Sequence, residues 1–138
     1  MADWTIEYEG SAFDRFFDLL DEYQQAVLTA AIEHVLAEHG IDICAGEWGK
    51  SLKEGLYEFR VKKSLQAILD GVGVPIPPGL QANAHRTVLL RVFCTFHGQK
   101  IVLLLGGYDK KKDPSEKRQA REIKRARKAL KRWKREIT

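Results

Sequence analysis

Two strongly apolar, β-branched runs separated by a three-residue polar turn constrain this chain more than any other feature. Thr87 to Phe96 and Lys100 to Leu105 are rich in Val, Leu, Ile and Phe, and His97-Gly98-Gln99 lies between them. A connection that short joins antiparallel strands, and runs apolar at both alternating sets of positions belong to strands covered on both faces. The fold therefore needs a sheet with this hairpin near its centre and helices to cover it.

The remaining segments supply those parts. Trp4-Thr5-Ile6-Glu7-Tyr8 alternates bulky apolar and polar residues as a half-buried strand does, and Gly10-Ser11 stops it. Ser11 with Asp14 has the spacing of a capping box, and Phe13, Phe16, Phe17 and Leu20 form one apolar helical face. A second helix is predicted from Glu22 to Glu38, with Val27, Ala31 and Val35 inward, ended by Gly40. The short join makes the two a helical hairpin. A loop holding Gly46 and Gly49 leads to a strand over Gly55 to Val61, with Tyr57, Phe59 and Val61 on one face and Glu58 and Arg60 on the other. Leu65 to Leu69 fits a short strand or a helical turn equally, and Gly71 to Gly79, with Pro75, Pro77 and Pro78, is a loop. The stretch 64–86 as a whole reads as an inserted Pro/Gly-rich loop, of the length that is more often functional or mobile than structural.

The last element, 113–137, is a basic helix. Asp113 is its predicted cap, Pro114 its first helical residue and Glu116 the partner in a capping box. Ala120, Ile123, Ala126, Leu130, Trp133 and Ile137 recur every three or four residues as a docking stripe. Lys110 to Thr138 contains 14 Lys and Arg against 4 Asp and Glu, a balance of +10, so the first 109 residues carry −6. A basic segment on an acidic body suits a polyanionic partner, although a solvated helix has the same composition.

With 138 residues, 44% hydrophobic and 30% charged, the chain is predicted to be one folded domain, 1–138. No apolar run reaches the roughly 20 residues of a membrane span. Met1-Ala2-Asp3-Trp4 lacks signal-peptide character, and Cys44 and Cys94 are expected as free thiols in a cytoplasmic protein, Cys94 in the core. His34 and His39 do not share a helical face, and His85 and His97 lie in separate loops, so no metal-ligand spacing appears. His97 at a hairpin tip has the chemistry of a proton shuttle, but exposed turn histidines are common.

Three strings now stand in order: Trp4-Thr5-Ile6-Glu7-Tyr8, Gly55-Leu56-Tyr57-Glu58-Phe59-Arg60, and Leu103-Leu104-Leu105-Gly106-Gly107-Tyr108-Asp109-Lys110-Lys111. Together, over nearly the whole chain, they resemble the phage-derived, HigB-like branch of the RelE/ParE superfamily of type II toxins, whose middle motif typically reads Gly-Leu-Tyr-Glu-Leu-Arg. The resemblance implies an α+β, RelE-like fold: an N-terminal strand, a helical hairpin, an antiparallel three-strand meander completing a small mixed sheet, and a basic C-terminal helix. It places helices on one side of the sheet and a cationic concavity that holds messenger RNA, usually on the ribosome. It also implies cofactor-free and metal-free cleavage by the RNA's own 2′-hydroxyl, and a cognate antitoxin, typically a helix-turn-helix protein, in a toxin–antitoxin hetero-oligomer.

Carried over by residue, the resemblance makes Arg60, Arg91 and Tyr108 the catalytic set. Lys62, Lys110, Lys111, Lys112 and Arg118 become the RNA and phosphate contacts. A guanidinium presents a planar fork of donors to phosphate. Arg60 also has a nearby carboxylate in Glu58, and Arg91, between Leu90 and Val92, needs solvent, a carboxylate or a ligand. Tyr108, expected just after the last strand at the mouth of the cleft, suits stacking on a base, proton transfer or plain packing. Two departures from the family pattern stand out: the long 64–86 stretch, and the lack of a histidine beside Tyr108, which leaves the general acid and base unassigned. Two further functions fit the same fold, a ParE-like poison of DNA gyrase and a non-catalytic RNA-binding module.

Overall fold

The computed structural model describes residues 3–137; Met1, Ala2 and Thr138, which begin and end the predicted domain, lie outside the described residues. The fold is α+β, a five-stranded mixed sheet with four helices. The elements in order are β1 (Thr5–Tyr8), α1 (Ala12–Asp18), α2, β2 (Gly49–Ser51), β3 (Tyr57–Val61), α3 (Leu65–Val72), β4 (Leu90–His97), β5 (Ile101–Asp109) and α4 (Glu116–Ile137). Helix α2 starts as Glu22–Ala31, widens into a π turn over Ile32–Leu36 and closes in Ala37–His39. No described helix is long and apolar enough to cross a membrane.

The apolar hairpin does take the centre. The strand order is β1-β5-β4-β3-β2, with β1 parallel to β5 and every other neighbour antiparallel, so β3, β4 and β5 form the expected meander. Alternation along β5 sends Val102 and Leu104 to one core, with Phe13, Phe16, Val27, Leu28 and Ile68 of the first three helices. Leu103, Leu105 and Tyr108 go to the other core, beneath Ala126, Ala129 and Leu130 of α4. The helices therefore lie on both faces, not on one side as the resemblance implies. Each such side chain contributes roughly 1.5–3 kcal/mol on burial, enough in sum to dock a helix whose other sides carry like charges.

Several local expectations shift. Ser11 precedes α1 but makes no cap bond; its hydroxyl accepts from Arg15 Nη1 instead. The capping box belongs to α2, where Asp21 accepts from the Gln24 N–H at 2.7 Å and Gln24 accepts from the Asp21 N–H at 3.1 Å. Helix α4 starts at Glu116, and Ser115 rather than Asp113 caps it, accepting from the Arg118 N–H at 3.1 Å. Pro114 thus stands before the cap and Glu116 is the first helical residue. The buried face of α4 is Glu122, Ala126, Ala129 and Leu130, with Ile123 and Trp133 packed against the core; Ala120 and Ile137 are exposed. Gly49, expected in a loop, begins the short strand β2, where a Cβ would collide with Ile43. The turn of the central hairpin is Gly98 to Lys100, so His97 ends β4 and packs on Trp133, 4.6 Å between ring centroids. Cys94 is fully buried, and both cysteines are free thiols.

The 64–86 stretch is not loop throughout. Its first part is α3, capped by Ser64, which accepts from the Ala67 N–H at 3.1 Å, and stopped by Gly73 in a left-handed conformation. Buried Tyr23 of α2 ties the stretch down from beneath: its hydroxyl donates to the Arg86 carbonyl at 2.5 Å, with the Ala84 carbonyl at 3.2 Å, and accepts from the Leu65 N–H at 3.1 Å. Replacing Tyr23 by Phe leaves the Leu65 N–H without that acceptor, at an expected cost of about 1–3 kcal/mol. Thermal unfolding should show the loss, and amide exchange should rise selectively over residues 64–86 if these bonds fasten the segment.

Candidate phosphate-binding site

Alternation along β3 puts Tyr57, Phe59 and Val61 into the core shared with the first three helices, leaving Glu58 and Arg60 on the sheet face that α4 only partly covers. Arg91 on β4 pairs with Arg60 on β3, and on its other side with Tyr108 on β5. Arg60, Arg91 and Tyr108 thus form one cross-strand row, with Glu58 one step along β3 between Lys50 of β2 and Phe93 of β4. Two guanidinium groups directly opposite one another repel. Glu58, wholly buried, holds them: Arg60 Nε donates to its Oε1 at 2.7 Å, and Arg91 Nε lies 3.6 Å from the same oxygen.

The row is not self-sufficient. Arg91 is 95% buried, yet among the described residues its Nε and Nη1 find no hydrogen-bond acceptor, and Glu58 Oε2 and the Tyr108 hydroxyl are also buried and unpaired. A buried polar group without a partner costs about 1–3 kcal/mol, so gathering three of them in adjacent positions is adverse for stability alone. Burial lowers the pKa of Arg91 against the pull of Glu58. Burial, then the Glu58 charge, raises that of Tyr108, which keeps its phenolic proton. Lys110, at the end of β5, is shifted down by partial burial and by Arg91, with Arg60 and Lys50 adding to it. These mutual influences place Lys50, Arg60, Arg91 and Lys110 in one cationic field around a single carboxylate.

Tyr108 does not stand after the last strand at a cleft mouth. It is inside β5, 1% exposed, its ring stacked on Phe93 at 6.1 Å and 11°. Gly106 and Gly107, which fit a close-packing or a turn pair by sequence, continue the strand. A Cβ on Gly107 would come within 2.7 Å of the Arg91 carbonyl oxygen and of Phe16, so only glycine lets β5 approach β4 here. Base stacking on the Tyr108 ring is therefore closed off, and its hydroxyl is buried with it, beside Arg91. Arg118 reaches over that ring, 5.4 Å from its centroid, while its Nε donates to Glu122 at 2.7 Å.

The lysines divide. Lys110 joins the row; Lys111 and Lys112 are exposed in the turn built on Asp109, whose Oδ1 accepts from both of their N–H groups, and Lys111 Nζ donates to the Thr87 carbonyl. Lys62 is exposed just past the end of β3, in the field of Glu47. The ion pair of Arg60 with Glu58, which the sequence offered as the alternative reading of Arg60, is present, whereas Lys50 was not singled out from sequence. Glu58 had a legible signal, since a carboxylate two residues before an arginine in a strand shares its face. Lys50 had none, because β2 itself was not foreseen. Compared with known proteins, the chain matches no family model, no curated protein and no solved structure, so its functional reading rests on these residues.

Proposed function

We propose that this chain is a RelE-like toxin of the HigB branch, a cytoplasmic endoribonuclease that cuts messenger RNA on the ribosome and is silenced by an antitoxin. The observation that carries the reading is the row of Arg60, Arg91 and Tyr108, with unsatisfied N–H groups on a buried guanidinium. Two of the three strings that suggest the family supply members of that row, Arg60 and Tyr108, and Arg91 comes from the strand between them.

A phosphodiester seated there would meet charge-assisted donors from Arg91 and Arg60 and a third cation from Lys110. Attack of the RNA 2′-hydroxyl on the adjacent phosphorus forms the O2′–P bond and breaks the bond to the 5′ oxygen, leaving a 2′,3′-cyclic phosphate. The 2′-hydroxyl gives up a proton and the 5′ oxygen gains one. Positioned cations stabilise the charge that gathers on the phosphorane, the largest contribution such a site makes. Tyr108 contributes a protonated hydroxyl beside them, and Lys110, whose pKa partial burial and Arg91 lower, adds its charge.

Inducing the chain without a partner should arrest growth and produce message cuts within codons, mapped by primer extension. Arg60→Ala should reduce both about tenfold or more, since Arg60 is one of two guanidinium groups on the phosphate. Growth arrest with DNA-damage signalling and intact messages would instead support gyrase poisoning. Salt-dependent RNA binding with no cuts in the presence of ribosomes would leave a binding module.

A further inference from the structure

Strand β1 pairs with β5 only as far as Leu104. Beyond it, Leu105 to Asp109 line a groove of about 700 Å³ between α1 and α4. Arg15 stands on its α1 side, and Arg118, Arg125, Lys128 and Arg132 stand on its α4 side. With Lys112 they make six cations against two carboxylates, Asp109 and Glu122. Arg118, Arg125 and Arg132 recur every seven residues, two helical turns, so they form a stripe along one side of α4 roughly 21 Å long. Glu122 is buried within that stripe and braces two of its members, Arg118 at 2.7 Å and Arg125 at 3.6 Å. A carboxylate sunk in a basic helix aims the arginines; it does not cancel them.

Tyr108 joins the groove to the row. It lines the groove, pairs with Arg91, and lies in the field of Glu58 and Arg91 from the row and of Arg118 and Glu122 from the helix. A nucleic acid strand gripped at Arg91 has to leave the site in some direction, and this cationic groove is lined by Tyr108, the β5 neighbour of Arg91. Gly106 and Gly107 add no side chains to its floor, and Leu19 at its margin is 87% exposed, an apolar surface for a base.

We propose that the groove between α1 and α4 is a track for single-stranded RNA, carrying the strand onward from the Arg60, Arg91 and Tyr108 row. The inference rests on the reading of that row as a phosphate site. It assigns Arg125 and Lys128 to binding and not to chemistry.

The test uses the intact chain and fluorescein-labelled, 2′-O-methylated oligouridylates of about four and about twelve nucleotides, lengths within the range that single-strand grooves engage. The double variant Arg125→Ala with Lys128→Ala should weaken the long oligomer about tenfold near 0.1 M salt and lower its salt slope by about 1.4, while the short one is unaffected. The variant Lys124→Ala with Lys131→Ala removes the same charge from outside the groove and should do much less. Equal losses on both oligomers, or equal losses from both double variants, would overturn the track in favour of a diffuse field. So would an oligoglutamate peptide competing as well as RNA, which would make the groove a seat for an acidic protein. Arg91→Met reports separately on the row: if it leaves short-oligomer binding intact, the phosphate site falls whatever the groove variants show.

Discussion

Arg91→Met is expected to abolish RNA cleavage, by at least about 100-fold, while leaving the protein folded. Loss of one preorganised donor from a charge-stabilising site commonly costs a factor of about 100 to 1,000 in rate, and Arg91 supplies the most enclosed donors of the row. The fold should tolerate the change, because methionine occupies similar space and removes two unsatisfied N–H groups and the repulsion from Arg60. What is lost is a 3.6 Å contact to a carboxylate that keeps its 2.7 Å bond to Arg60. Replacing a poorly satisfied buried charge by an apolar group is often neutral or better, so the melting temperature should stay within about 5 °C of the parent. Arg91→Lys should not restore activity, since an ammonium offers no planar fork. Primer extension and a thermal melt on the same preparations check both halves. Undiminished cleavage by a folded Arg91→Met protein would remove Arg91 from the site.

Much of this arrangement was legible in the chain because strand patterning has a strict period of two. The apolar hairpin announced the centre of the sheet, and the alternation in Tyr57-Glu58-Phe59-Arg60 placed Arg60 on a face opposite the core of the first three helices. Hidden from sequence was whatever depends on one element's exact offset against another. Gly106-Gly107 fits a close-packed pair or a turn equally; the approach of Phe16 and of the Arg91 carbonyl decides for close packing within the strand, and this moves Tyr108 from a cleft mouth into the core. The register irregularity at Phe93 and Cys94 is likewise invisible beforehand, yet beyond it Gly107 still pairs with Val92 and Tyr108 with Arg91. On α4, Glu122 was passed over in the search for an apolar stripe, although two arginines make its burial tolerable. The sequence offers Ser11 and Asp113 as caps and the structure uses Asp21 and Ser115, because spacing alone does not say which side chain turns toward the helix.

Glu58 makes the sharpest stability prediction. Among the described residues it is the one carboxylate within 4.0 Å of both guanidinium groups in the row, and it is fully buried, while the Arg91 side chain is 6% exposed. Glu58→Leu should leave Arg91 charged, buried and without a counterion, at a cost of about 3–5 kcal/mol. At roughly 2–4 °C per kcal/mol for a chain of this size, the melting temperature should fall by about 10 °C. Arg60, 24% exposed at its side chain, has solvent to turn toward and adds little to the penalty. The double variant Glu58→Leu with Arg91→Met removes both charges together and should recover most of the loss, giving a coupling energy well outside the additive range. It should also be inactive, because the donors for phosphate are gone. That pattern, a stable but silent double variant beside an unstable single one, is what a carboxylate retained to hold two cations for a ligand produces. If Glu58→Leu melts with the parent, or the double variant melts no higher than Glu58→Leu, the ion cluster is not what fixes this face of the sheet.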